Sequence, residues 1–153
     1  MAKLVYISFI LATFYFIGIY CDVDADTKAF FYIKKNAIYQ YRFAKVEIEQ
    51  IIFQKVRGAM GKAKEYEQKT CIDDVKKKSL VESGKLLNIT VGKILPAIEE
   101  VVDALSKGDK SKLNEFNSKW NYEQFKKQAM NDFKTKSKGL ANVVQKKLDK
   151  CLA

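Results

Sequence analysis

Apolar side chains recur at Phe30, Ile33, Ala37, Tyr41, Ala44, Ile48, Ile51 and Val56, at steps of 3, 4, 4, 3, 4, 3 and 5 residues. A three-to-four period held over about seven turns belongs to an α-helix and excludes a half-buried strand, whose apolar positions alternate. Thr27 or Asp26 supplies an N-cap, and Gly58 and Gly61 mark the end. The same segment gathers Phe30, Phe31, Tyr32, Tyr39, Tyr41, Phe43 and Phe53. That concentration predicts a central, deeply buried first helix.

The rest of the chain repeats the period. Thr70 to Asp74 offers a second start, followed by Val75, Leu80, Leu87, Val91 and Ile94 on one broad face. Pro96 lacks an N–H and clashes one turn back, so it either kinks this helix or stands at N1 of a short one. The pattern then runs through Ile98, Val101, Val102 and Leu105 to Gly108, a good residue just past a helix end. Gly108-Asp109-Lys110-Ser111 is the clearest turn. Leu113, Phe116, Trp120, Phe125, Ala129 and Phe133 form a further face. Leu140, Val143, Val144, Leu148 and Leu152 form a last one, with Gly139 as the expected break between two helices. No long stretch alternates at period two, and no Asn-Gly or Asp-Gly hairpin signal occurs. A chain of 153 residues can bury about two thirds of its surface in one core. The expected fold is all-α, a single bundle of four to five helices.

Ahead of the first helix, Lys3 precedes an uncharged apolar run from Leu4 to Tyr20, and Asp22, Asp24 and Asp26 follow. A basic start, an apolar middle and an abrupt polar end are the parts of a secretory signal peptide. The run's seventeen residues stand at the lower edge of a membrane span, which takes about 20. Residues 1–21 are therefore expected to be a signal peptide, cut between positions 18 and 25, with 22–153 a secreted, extracellular helical domain. A cut after Cys21 leaves Cys71 and Cys151, an even number suited to an oxidising compartment. A bridge between them closes a loop of 80 residues and contributes on the order of 4 kcal/mol by loop entropy. A cut at Gly18 instead leaves Cys21 as an odd thiol able to pair between chains.

Charge and residue inventory narrow the chemistry. There are 28 Lys+Arg against 18 Asp+Glu, a formal +10, and no His. Without His the usual general base and most zinc sites are missing, so no metal and no cofactor are expected. Asp73/Asp74 and Glu99/Glu100 are adjacent pairs whose side chains diverge by about 100° on a helix, so neither pair converges on one atom. Ser79 and Ser83 near Lys76–Lys78 lack a strained nucleophile turn. The chain is not expected to be an enzyme. From Lys107 to Lys150, 12 cations face five anions. Lys127, Lys134 and Lys138, at i, i+7 and i+11, share one helix face and form a candidate contact surface. Such a stripe suits an acidic protein surface, heparin-like glycans or anionic lipid, or else only solubilises the bundle. Arg is confined to Arg42 and Arg57, which with secretion argues against nucleic acid. Asn88-Ile89-Thr90 is the one glycosylation sequon. The aromatic first helix also allows a carrier, with a core cavity for an apolar small molecule.

A signal peptide, a small basic mature chain, one bridge and no catalytic set resemble the salivary effectors of blood-feeding flies. In layout and size the whole chain resembles the erythema group of black flies. The likeness carries no motif, so no functional residue is transferred. It implies a monomer that dilates host vessels by binding a host receptor, channel or haemostatic protein. The alternatives are the apolar carrier and a basic anticoagulant-type binder of anionic glycans or lipid.

Overall fold

The computed structural model describes residues 24–153. The apolar run 4–20, the expected cleavage region through position 23, and Cys21 lie outside the described residues. Among the described residues there are five helices and no strand. They are α1 (Ala25–Met60), α2 (Tyr66–Ile89), α3 (Leu95–Ser106), α4 (Ser111–Lys119) and α5 (Tyr122–Leu152). The expected all-α fold is thus what the chain adopts. Two compact units divide it, Met1–Ile33 and Lys34–Ala153.

In the first unit, Asp24 rather than Thr27 or Asp26 caps α1. Its carboxylate accepts the Thr27 N–H at 2.9 Å and the Thr27 hydroxyl at 3.2 Å. The helix already runs from Ala25, so Asp26 and Thr27 lie inside its first turn and Asp24 stands just before it at the N-cap. Phe30 is buried and meets the exposed Phe31 edge-on at 5.8 Å.

In the second unit the core is built mainly by three helices. Ala44, Ile48, Ile52, Val56 and Ala59 come from α1, Ile72, Val75, Leu86 and Leu87 from α2, and Ala129, Phe133, Val144, Leu148 and Cys151 from α5. The tightest pairing is α2 along α5, while α3 packs on α4. Trp120 stacks on Phe116 at 6.3 Å and meets Phe125 edge-on at 5.2 Å, joining α4 to α5. Cys71 and Cys151 form the expected disulfide, with Cα atoms 5.7 Å apart, inside the range a bridge spans. Beside it, Gln68 Nε2 donates to the Leu152 carbonyl at 3.4 Å, so the last turn of α5 is held to the first of α2.

Two boundaries differ from expectation, each for a local reason. Helix α2 opens at Tyr66 instead of near Thr70, because Gln68 Oε1 reaches back to accept the Lys64 and Glu65 N–H groups at 2.9 and 3.3 Å. Thr70 sits inside the helix and spends its hydroxyl on the Tyr66 carbonyl. Of the two arrangements expected at Pro96, the chain takes the short helix, α3, after a turn at 90–94. The break expected at Gly139 falls instead at Trp120–Asn121, where the Asn121 side chain accepts the Gln124 N–H at 3.1 Å. Gly139 lies within α5, where an exposed helix glycine costs only about 1 kcal/mol and continued burial of the apolar face outweighs it. Gly108 does close α3, at φ +77°, with Gly108 and Asp109 N–H groups returning to the Leu105 and Ala104 carbonyls.

The largest correction concerns α1. Of its seven aromatic residues only Phe30 is fully buried, while Tyr39, Phe43 and Phe53 are 68%, 55% and 41% exposed. The side it buries in the second unit is aliphatic, with alanine at Ala44 and Ala59.

Candidate interaction surfaces

Two long helices each bury one side in the second unit and turn the other outward. On α5, Asn121 starts the helix, and Ala129, Phe133, Ser137 and Val144 fix the inward side. Lys127, Lys134 and Lys138 are left exposed. At 100° per residue they lie within about 40° of one another and span about 16 Å along the axis. Glu123, one turn before Lys127, closes the same face with a carboxylate.

The outward face of α1 was not legible as a site. Tyr39, Phe43, Val46 and Phe53, all exposed, fall within about 80° of arc, opposite the buried Ala37, Ala44, Ile48 and Ile52. Lys35, Arg42 and Arg57 lie on the same face and are exposed. The Tyr39 and Phe43 rings stack at 6.5 Å, and Lys76 of α2 places its ammonium 5.5 Å from the Phe53 ring centre. The two carboxylates nearest in sequence, Glu47 and Glu49, stand about 80° to either side. Glu49 faces Lys45 at 3.9 Å. The available signal was a second apolar line at helical spacing that also takes both arginines of the chain.

The remaining candidates are dispersed. Asn88 is exposed, and its Oδ1 accepts the Tyr41 hydroxyl at 3.4 Å, leaving Nδ2, the atom that carries a glycan, outside that bond. Thr90 of the sequon is buried and donates to the Leu86 carbonyl at 2.7 Å. Ser79 and Ser83 are buried on α2 and donate to the Val75 and Leu80 carbonyls at 2.6 and 2.8 Å. Asp73 and Asp74 are exposed two turns inside α2. The shifted titrations cluster at the α3–α4 turn. Asp109 is held below the usual carboxylate range, first by the Ser111 N–H at 2.7 Å and then by the Ser111 hydroxyl. Lys112 and Glu115 pair at 2.8 Å, which raises the ammonium and lowers the carboxyl.

For an apolar ligand the space is not aromatic. An open groove of about 460 Å³ is lined by Ile38 of α1 and by Leu95, Ile98 and Val102 of α3, with Lys34, Glu99, Asp103 and Ser106 beside them.

Compared with known proteins, the chain is 52% identical over 153 residues to venom protein family 1 protein 2 of Platymeris rhadamanthus, an alignment covering all of both. It is also 36% identical over 119 residues to venom protein family 1 protein 1 of the same species, covering 78% of this chain and 82% of that one. The chain belongs to venom protein family 1. No family model matches it. No solved structure matches it either. The kinship of this family 1 protein is with these venom proteins and not with the black-fly erythema group, so the layout resemblance is corrected. Layout alone misled because small size, basic charge and one bridge are shared by many secreted helical proteins. No described helix of this family 1 protein is long and apolar enough to cross a membrane.

Proposed function

We propose that this family 1 protein is a secreted venom effector that acts without catalysis. It docks the lysine face of α5 on an acidic surface of a receptor, channel or haemostatic protein in the recipient animal. Kinship with two venom proteins supports the venom role. The Lys3 and Leu4–Tyr20 pattern and the Cys71–Cys151 bridge support secretion. The observation that carries the contact is the exposure of Lys127, Lys134 and Lys138 on one side of α5. Strongly hydrated ammonium groups act at a distance and steer encounter more than they hold a complex. The physiological outcome we assign to this venom effector is relaxation of vessels in the recipient animal.

The test is association of the mature protein with its target preparation, scored on pre-contracted vessel rings. Raising salt from about 50 to 300 mM shortens the Debye length about 2.4-fold and should slow association. Replacing Lys127, Lys134 and Lys138 together by Gln should weaken relaxation. Full potency in that variant refutes the lysine contact, and folded wild type that relaxes nothing refutes the vasodilator outcome.

A second reading, a carrier of an apolar small molecule, now rests on the aliphatic groove beside Ile38, Leu95, Ile98 and Val102. Small-molecule adducts in native mass spectra of protein from its natural source would place it ahead.

A further inference from the structure

We infer that the outward face of α1 is a membrane-interface surface that seats in the headgroup layer of bilayers rich in anionic phospholipid. The inference uses none of the α5 lysines and stands apart from the protein target proposed for them. Tyr39, Phe43 and Phe53 are exposed on one line of a helix whose other side already serves the core. Rings left in water on a folded surface lose free energy that contact with an apolar phase would recover.

The composition of the line selects the phase. Lys35, Arg42 and Arg57 lie among the rings, and Lys76 approaches from α2. Carboxylates are displaced to the flanks, so the line itself is cationic. A helix with aromatic side chains on a basic face is the arrangement that lies in the plane of an interface, rings at the acyl boundary and cations at the phosphates. Both arginines of a chain otherwise furnished with lysine fall on this line. Guanidinium is the cation that binds phosphate in a bidentate fork, whereas ammonium does so as a point charge. Phosphodiester headgroups are therefore the anions this face fits.

A second copy of the chain fits less well. Packing two such faces together sets Lys35, Arg42 and Arg57 of one copy against those of the other, with no carboxylate on the line to offset them. A partner helix in a groove also fails, because the face is the convex side of a single helix. A bilayer surface is flat, deformable and negative, and it needs no groove.

The experiment uses the full mature protein with vesicles of phosphatidylcholine carrying about 30 mol % phosphatidylserine, and vesicles of phosphatidylcholine alone. The protein should sediment with the anionic vesicles and much less with the neutral ones. The triple variant Tyr39→Ser, Phe43→Ser, Phe53→Ser should lose at least about tenfold in partition, since binding scales with the apolar area inserted. Circular dichroism checks that its helix content is unchanged. Depth is read with Phe43→Trp in vesicles with brominated acyl chains. The new indole should be quenched, while native Trp120, between Phe116 and Phe125, should not be in the wild type. Unchanged partition in the triple variant overturns the inference. So does an unquenched indole in a vesicle-bound Phe43→Trp protein. Sedimentation equilibrium showing a wild-type dimer that the triple variant dissolves, without vesicle binding, assigns the face to self-association and also overturns it.

Discussion

The outward faces of α1 and α5 are built on similar frames and equipped oppositely. Each belongs to a long helix that gives its other side to the same core, α1 through Ile48 and Ile52, α5 through Phe133 and Leu148. Outward, α5 shows Lys127, Lys134 and Lys138, while α1 shows Tyr39, Phe43 and Phe53 with Arg42 and Arg57. Lysine alone gives long-range attraction that salt weakens, because a hydrated ammonium gains little from direct contact. Rings beside guanidinium gain chiefly on contact, through area removed from water and forked hydrogen bonds. The same net sign thus serves two physical purposes, one measured in association rate and the other in residence.

The strongest way to break both faces together is to release the frame. Replacing Cys71 and Cys151 by Ser removes the constraint on an 80-residue loop and should lower stability on the order of 4 kcal/mol. Denaturant unfolding of the double variant, with loss of both salt-dependent association and vesicle partition near its midpoint, is the expected result. Loss of one binding property alone would show that the two faces do not depend on a common frame.

A smaller perturbation aims at α1. A Cβ at Gly92 would stand 3.0 Å from the Leu87 carbonyl oxygen and 3.0 Å from the Tyr41 ring, and backbone cannot yield as a flexible side-chain tip does. Gly92→Ala should cost about 1–3 kcal/mol by overpacking. It should also disturb the Tyr41–Asn88 hydrogen bond, and vesicle partition should fall more than association through α5. A thermal midpoint equal to wild type would show that the 90–94 turn shifts freely.

Periodicity in the sequence was enough to locate helices and the disulfide followed from an even cysteine count, but α1 shows where such reading stops. Its residues form two apolar lines about 180° apart, and spacing alone cannot say which one meets a neighbour. The structure buries Ala37, Ala44 and Ala59 with Ile48 and Ile52, since small side chains let helices approach closely. Aromatic bulk had pointed the other way. Boundaries failed at Gln68 and Asn121 for a different reason. Each sets a helix start through its side-chain oxygen, and such residues are common enough in sequence that only the folded geometry singles them out. The lysine face of α5 needed no such geometry, because its opposite side is plainly apolar.

Stability should barely register changes to the faces themselves. Exposed residues away from caps and turns usually alter it by within about 0.5 kcal/mol. The Lys127, Lys134 and Lys138 to Gln variant and the Tyr39, Phe43 and Phe53 to Ser variant should therefore both melt near wild type. The first should flatten the salt dependence of association and spare most vesicle binding. The second should do the reverse. A crossed result, with the lysine variant losing lipid quenching at Phe43→Trp, would merge the two faces into one surface.

The smallest expected effect lies on an element that carries neither face. Asp109 accepts the Ser111 N–H and hydroxyl, which hold its carboxyl below the usual range. A carboxyl whose folded pKa is depressed stabilises the fold above its unfolded pKa, and that contribution disappears as pH falls through the folded value. The window therefore opens below about pH 5, where the unfolded-chain aspartate begins to protonate. Asp109→Asn removes the titration, so its unfolding midpoint relative to wild type should be lowest at neutral pH and should converge on wild type as acid is added. Because the turn is fully exposed, the gap should be small, and both association and vesicle partition should match wild type at neutral pH. A gap that widens in acid would mean that another group, and not Asp109, governs the acid limb.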